Sequence, residues 1–388
     1  MGEMPVSDLR MGEMPVSDLR MGEMPASDTR VNDMQRSELH VDSLLEDKSQ
    51  VNGFFKNKKI LLIGGTGSIG TVIMQKLLNY DVNTIRVFSR DEHKQFDMKN
   101  QFYDSRLRFL LGDVRDYDRV LRATEGIDVV FNLAALKHVP ACEYDPFEAV
   151  KTNVIGTQNV IMAAITQNVS NVIITSSDKA VSPTNAMGAT KLLAERLVSS
   201  AHFSHGSKST AFCAVRFGNV MGSRGSVIPL FKQQILHHRT VDVTDPSMTR
   251  FMMTCDEAAE FTLQAAYMAK YGEIFVLKMP SLKVGDLAEV VIELTCEKYG
   301  LDKNEIIRNG IGLRTGEKKY EELMTVEEAE FAYELDKMYM ITHQYYYDRY
   351  KEADPRIKAA PREVYSSKDT VLLTREEIRD IIIANNLI

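Results

Sequence analysis

The sequence predicts an α/β fold, a doubly wound parallel sheet with a smaller C-terminal lobe. Three observations carry that expectation. An apolar run of strand length, Lys59-Ile-Leu-Leu-Ile63, enters three glycines at three-residue spacing, Gly64, Gly67 and Gly70. A run with helical period, Thr71-Val-Ile-Met-Gln-Lys-Leu-Leu78, leaves them. Further short strand-like runs then alternate with helical patterns, the order a parallel sheet requires.

The elements follow in order. Met1 to Arg10 recurs identically as Met11 to Arg20, and again, altered at Ala26 and Thr29, as Met21 to Arg30. Such decapeptides bury little apolar surface, so residues 1–53 read as a disordered arm or an oligomer contact without a catalytic role. The segment up to about residue 57 suits a short helix. The strand, glycine turn and helix at 59–78 read as a dinucleotide site. Its glycines permit close backbone approach and its helix N-terminus holds a pyrophosphate, which makes Gly64, Thr66, Gly67, Ser68, Ile69 and Gly70 cofactor-binding.

A second strand from Thr84 ends at Ser89-Arg90. An acidic residue there would favour NAD through the ribose hydroxyls, whereas Arg90 pairs with a 2′-phosphate, so NADP is expected over NAD. The third strand, Leu107 to Leu111, leads to Asp113 and Val114, where Asp113 can accept a hydrogen bond from an adenine amine. The fourth, from Val129, ends at Ala134 and Ala135, small residues that let a flat ring lie against backbone. Asn153 lies on the helix leading to a fifth strand from Asn171, whose exit carries Ser177-Asp178-Lys179. A helical run then places Met187 and Lys191 one turn apart on one face. A sixth strand, Thr210 to Arg216, delivers a glycine-rich loop running from Asn219 to Pro229, and a terminal helix is capped by Thr374 with Glu377 three residues on. The partition expected is a dinucleotide-binding domain at 54–225, with a return near 251–280, and a lobe with tail at 226–388.

Asp178 and Lys179 are titratable groups of opposite habit, suited to a reaction that removes a proton and expels a hydroxide. Met187 cannot move a proton. Composition agrees with an enzyme of this size: 388 residues, 44% hydrophobic, 26% charged, net charge −7, four scattered cysteines. The charge disfavours nucleic acid and anionic membranes, and cysteine spacing suggests neither a metal site nor a disulfide framework. No apolar stretch reaches bilayer length and no secretory signal is legible, so a cytoplasmic protein is expected.

The ordered motifs Gly64-Gly-Thr-Gly-Ser-Ile-Gly70, Ser89-Arg-Asp-Glu92, Gly112-Asp-Val-Arg-Asp116, Ala134-Ala-Leu-Lys-His-Val-Pro140, Ser177-Asp-Lys-Ala180, Arg216-Phe-Gly-Asn219, Thr244-Asp-Pro-Ser-Met-Thr-Arg250 and Arg314-Thr-Gly-Glu-Lys318 resemble the extended short-chain dehydrogenase/reductase (Rossmann) superfamily. Within it the chain resembles UDP-N-acetylglucosamine 4,6-dehydratases of polysaccharide and flagellin-glycan biosynthesis, over about residues 54–325. Met187 stands where most of that superfamily has a tyrosine, as in its larger, often membrane-attached members.

The resemblance implies a catalytic set of Ser177, Asp178, Lys179, Met187 and Lys191. Lys191 would hold the nicotinamide ribose, Ser177 would hydrogen-bond the sugar O4, and Lys137 and Asn153 would stand beside the cofactor. It implies a UDP-sugar held by Lys137, Asn219, Ser223, Val227, Arg250, Arg314 and Glu317, with Arg250 on the diphosphate and Glu317 on ribose hydroxyls. A homo-oligomer is also implied. The expected reaction oxidises C4, removes the C5 proton with neutral Lys179, protonates the departing C6 hydroxyl from Asp178, and returns hydride to C6. Met187 leaves the acceptor of the O4 proton open between Asp178 and a water held by Ser177. A 4-epimerase, a GDP-sugar dehydratase and a non-catalytic NADP-binding protein are the alternatives.

Overall fold

The computed structural model describes residues 48–204, 209–314, 316–353 and 357–388; the repeats and most of the expected arm lie outside them. The chain enters through α1 (Lys48–Phe55), followed by β1 (Lys59–Ile63), α2 (Ser68–Leu78), β2 (Thr84–Ser89), α3 (Glu92–Gln101), β3 (Leu107–Leu111), α4 (Tyr117–Thr124) and β4 (Val129–Asn132). Short helices α5 (Val139–Tyr144) and α6 (Pro146–Ala149) and one π-helical turn, Val150–Ile155, lead into α7 (Gly156–Gln167), β5 (Asn171–Ser177), α8 (Ala186–Ser204) and β6 (Ala211–Phe217). Then come β7 (Asn219–Val220), α9 (Val227–His238), β8 (Thr240–Val243), β9 (Thr249–Met253), α10 (Cys255–Met268), β10 (Glu273–Leu277), β11 (Ser281–Lys283) and α11 (Val284–Tyr299). The C-terminal part adds β12 (Ile307–Gly310), β13 (Glu322–Met324), α12 (Val326–Ala329), β14 (Ala332–Glu334), β15 (Met338–Ile341), α13 (Tyr347–Ala353), β16 (Lys358–Ala359), β17 (Tyr365–Ser366) and α14 (Arg375–Ala384).

The ten-stranded central sheet runs β16-β14-β15-β10-β6-β5-β4-β1-β2-β3. From β3 across to β10 every pairing is parallel. The order reverses between β1 and β4, the switch point at which doubly wound sheets open a crevice beyond the strands' carboxyl ends. Helices cover both faces, so the strands read as continuous apolar runs: Ile60, Leu61 and Leu62 are fully buried, as are Val129, Val130 and Phe131. The chain returns to the sheet through β10, near the expected stretch, and a second time through antiparallel β15, β14 and β16.

The remaining C-terminal elements build a second core in which α9, α11 and α14 pack Ile228, Phe231, Leu287, Val291, Ile378 and Ile382 together. Thr374 and Glu377 form the expected capping box of α14. Arg216, fully buried at the end of β6, joins that strand to α8, β13 and α12. It holds Glu195 of α8 at 2.6 Å, Glu328 of α12 at 2.8 Å and the Leu323 carbonyl at 2.8 Å.

Candidate active site

The crevice at the switch point is a cleft of about 1370 Å³. That exceeds the usual range for one drug-sized ligand and leaves room for a dinucleotide beside a second nucleotide. At one end lies the glycine turn. Gly64 adopts φ +76°, and a Cβ there would stand 2.7 Å from the Ala134 amide nitrogen, so only glycine lets β1 and β4 close up beneath a ligand. The first amides of α2, at Ser68, Ile69 and Gly70, face the same space. The cradle fits a dinucleotide, with Thr66, Gly67, Val114, Ala134 and Ala135 also on its walls.

Arg90 stands at the end of β2 with its side chain 56% exposed, 3.5 Å from Asp113. The acidic neighbour Asp91 is occupied as the N-cap of α3, accepting from the Lys94 amide and pairing with the Lys94 side chain. Burial would raise the Asp113 carboxyl, but Arg115, 2.7 Å away, outweighs it and holds the group below its ordinary value. Gln95 secures the strand end by donating to the Ser89 hydroxyl and carbonyl. Asn153 is the one expected residue that does not line the cleft. Its amide is spent on both backbone groups of Leu136 and on Thr190, so from the π turn it positions the loop after β4 against α8.

Across the cleft the loop after β7 reaches over to the glycine turn. The Arg224 amide donates to Ser68 Oγ at 3.1 Å, its guanidinium to the Thr66 carbonyl, and Lys137 Nζ to the Arg224 carbonyl at 2.8 Å. Burial pushes the Lys137 ammonium below its ordinary value. Ser223 accepts the Ser226 amide at 2.9 Å, and Val227 opens α9 at the same wall. Sequence reasoning passed over Arg224, which stands between Ser223 and Gly225 in a loop read only as glycine-rich.

The other end of the cleft holds the titratable groups. Ser177, the last residue of β5, donates to Asp178 Oδ1 at 2.6 Å and accepts the Lys179 amide at 3.2 Å, so it is both a cap and a donor to its neighbour. Lys179 Nζ lies 2.9 Å from Asp178 Oδ2. Burial works against both charges, but their pairing prevails: Asp178 is held below its ordinary value and Lys179 above its own. The expectation of a neutral Lys179 and a protonated Asp178 is therefore reversed in this state, because each charge stabilises the other where water is scarce.

Helix α8 can approach this turn because residue 188 is glycine; a Cβ there would stand 2.1 Å from the Lys179 carbonyl oxygen. Met187 is buried among Cys142, Ala149, Leu136 and Val139 and lines the cleft. One turn on, Lys191 Nζ donates to the Thr175 carbonyl at 2.9 Å, and burial lowers its pKa to about 8 against the pull of Glu195. Glu143, another residue passed over, accepts the Ala186 amide at the start of α8.

The segment after α11 closes the corner. Thr184 donates to the Gly316 carbonyl at 2.8 Å, and Lys318 Nζ to the Val181 carbonyl at 3.1 Å. Arg250 on β9 lies 3.3 Å from Glu317 and 3.4 Å from Glu321, and donates to the carbonyls of Thr249, Lys318 and Lys319. Its donors are largely committed to the protein, which makes it a brace for this segment. Glu317 is likewise engaged, accepting the Arg314 amide at 3.2 Å, while the Arg314 residue is exposed at the rim. Asn219 gives its amide to both oxygens of Glu321 at 2.8 and 2.9 Å. Glu321 was not foreseen: it stands in the charged run Lys318-Lys-Tyr-Glu-Glu322, which carries no local mark of a site. It is buried, 3.8 Å from Lys179 Nζ, and burial together with Asp178 raises its pKa to about 7.

Known proteins resemble this chain over most of its length. The solved structure of Pen from Bacillus thuringiensis is 50% identical, covers 86% of this chain and 99% of its own, and superimposes with a TM-score of 0.81. An uncharacterised membrane protein of Methanocaldococcus jannaschii is 49% identical over 86% of this chain and 97% of its own. Here, no helix among the described residues is long and apolar enough to cross a membrane. A UDP-glucose 4-epimerase of Rickettsia felis is 41% identical over 85% of this chain and 96% of its own. The dTDP-glucose 4,6-dehydratase DesIV of Streptomyces venezuelae, 22% identical over 67% of this chain and 86% of its own with a TM-score of 0.60, shares the fold. The model of a polysaccharide biosynthesis protein family matches residues 60–343, and with relatives this similar over this much of its length the chain belongs to that family.

Proposed function

We propose that this chain is an NADP-dependent UDP-N-acetylglucosamine 4,6-dehydratase of the extended short-chain dehydrogenase type, forming a UDP-4-keto-6-deoxy-N-acetylhexosamine for surface glycans. The observation that carries the reading is the ion pair between buried Asp178 and partly exposed Lys179 just after β5, with Met187 where a proton-transferring tyrosine would stand. NADP is favoured by the exposed Arg90 and by the engagement of the neighbouring Asp91 carboxylate with the α3 cap and the Lys94 ammonium. A cofactor in the glycine cradle supplies reversible hydride acceptance, from C4 at the outset and back to C6 at the end.

The chain's own groups handle the protons. Asp178 is held as an anion and accepts the O4 proton, with Ser177 beside it as donor and relay. That proton removes the charge that kept Lys179 ionised. Once neutral, Lys179 takes the C5 proton, made acidic by the C4 ketone, and Asp178 delivers its proton to the departing C6 hydroxyl as water. Lys179 returns a proton to C5. Lys191, held by the Thr175 carbonyl, orients the nicotinamide ribose and favours the developing alkoxide when charged. Asn219, Ser223, Arg224 and Lys137 line the side on which a nucleoside diphosphate would lie.

A 4-epimerase is the second reading, favoured by the Rickettsia relatives of that name. It needs no acid at C6, whereas this site pairs a buried carboxylate with an amine that lines the cleft. Mass spectrometry of UDP-N-acetylglucosamine incubated with the purified protein and NADP separates the two. A product lighter by one water supports dehydration, and a product of unchanged mass that elutes as an epimer removes it.

A further inference from the structure

Lys179 begins as an ammonium, so a base at C5 requires that its proton first go elsewhere. Two carboxylates flank its amine, Asp178 at 2.9 Å and Glu321 at 3.8 Å. On the dehydratase reading Asp178 is filled by the O4 proton. Among the described residues, the other carboxylate paired with the amine is Glu321.

We propose that Glu321 is the proton store of this site, taking the Lys179 proton before C5 is deprotonated and giving it back after C6 is reduced. The proposal rests on the dehydratase reading. Its place is held by the protein: Asn219 donates to both oxygens, the Phe251 amide donates to Oε2 at 3.0 Å, and the Glu321 backbone amide is tied to Ser367 Oγ at 2.9 Å, so the carboxylate stays beside the Lys179 amine. The charged groups facing it are Asp178 and Lys179 from the turn after β5 and Arg250 from β9. Asp178 and burial favour its acid form while Lys179 and Arg250 favour the anion, and the balance leaves it near neutrality, at about 7. When Asp178 takes the O4 proton, Lys179 loses the partner that held its charge most closely, and Glu321, 3.8 Å away, is the carboxylate left to receive its proton.

The protons balance. The O4 proton leaves as part of water through Asp178. The C4 hydride ends on C6. The C5 proton leaves and returns on Lys179, and the proton lent to Glu321 comes back to Lys179, restoring the starting state. Glu321 touches no reacting atom and is a positioning residue for the charge of the amine. Because it must be ionised to accept, turnover should fall as pH drops through about 7.

The test uses the full-length protein in two arms. The first needs no substrate: infrared difference spectra across pH should show a buried carboxylic acid band titrating near 7 in the wild type and missing in Glu321→Gln. Absence of that band in the wild type overturns the proposal whatever the reaction is. The second arm follows C5 exchange in deuterated water and water loss from UDP-N-acetylglucosamine. Glu321→Gln, folded by thermal melting and still binding NADP, is expected to lose about 10²-fold in both and to lose the acid limb of the pH profile, with Glu321→Asp recovering part of each. A wild type that titrates as expected but leaves the sugar intact overturns the function reading and the proton route with it. A wild type that dehydrates while Glu321→Gln exchanges C5 at the wild-type rate over the same pH range overturns the role of Glu321 alone.

Discussion

The two ends of the cleft are built in different ways. The cofactor end comes from one continuous stretch, β1, the glycine turn and α2, with additions from the ends of β2, β3 and β4. The acid-base end is assembled from residues far apart in sequence: Asp178 and Lys179 after β5, Asn219 on β7, Arg250 on β9 and Glu321 beyond α11. The first is governed by backbone geometry and needs glycine. The second is governed by charges that set one another's protonation, and no member of it has a fixed state apart from the others.

The largest expected difference between the ends is in turnover. Lys179→Ala should reduce dehydration by about 10³–10⁴-fold and abolish C5 exchange while leaving NADP binding nearly unchanged, read by titration of the bound cofactor. Asp178→Asn should cost a similar factor in water loss and suppress C5 exchange as well, because the O4 proton then has no acceptor and the C4 ketone does not form. Full turnover in either variant breaks the assignment of the acid-base end.

Two glycine substitutions sharpen the contrast, one through backbone strain of about 1–3 kcal/mol at Gly64 and one through a clash with backbone at Gly188 that costs at least about as much. Gly64→Ala forces a side chain into a left-handed backbone against the Ala134 amide, and should weaken cofactor binding. Gly188→Ala pushes on the Lys179 carbonyl, and should lower kcat with little change in cofactor affinity. Calorimetry with NADP and steady-state kinetics on both variants decide the matter. Equal damage from both would show that the ends are not separable.

The pH dependence of stability offers a smaller, substrate-free comparison. Glu321 has its folded pKa raised from 4.5 to about 7, so the folded protein holds a proton there that the unfolded chain has released. Its contribution is fully present below about 4.5 and is lost as pH rises through about 7. Glu321→Gln should therefore gain stability relative to the wild type between those values, on the order of 1–2 kcal/mol after the neighbouring pair readjusts. Denaturant titrations at the two pH limits measure it. Arg90→Glu should weaken NADP more than NAD by about 1–2 kcal/mol, since the reversal opposes the 2′-phosphate and spares the pyrophosphate. Met187→Leu is the smallest: if the side chain only shapes the pocket, it should cost less than about 1.5 kcal/mol in stability and retain most activity.

The same contrast explains what was legible in the sequence. The strand ends at Ser89, Leu111 and the turn at Gly64 follow from local patterns, because strand, turn and helix propensities act within a few residues. Ser177, Asp178 and Lys179 were found because they are adjacent. Glu321 was hidden because its significance comes from burial beside residues more than a hundred positions away, and a run of five charged and aromatic residues reads as solvated surface. Asn153 was visible but its part was not, since only the π turn and the Leu136 backbone reveal that its amide is used up inside the protein. Arg250 teaches the same lesson. Its place on the cleft wall was expected, but the carbonyls and carboxylates it also braces come from a segment about seventy residues further along the chain.

The central claim is that Asp178 and Lys179 turn a C4 oxidation into an internal transfer from C4 to C6. Incubation of the protein and NADP with 4-deuterated UDP-N-acetylglucosamine in ordinary water, read by NMR, tests it most directly. The account predicts a 4-keto product whose C6 methyl group carries the deuterium. Deuterium returned to C4 of an epimerised sugar, or lost to the cofactor pool without water elimination, would contradict it.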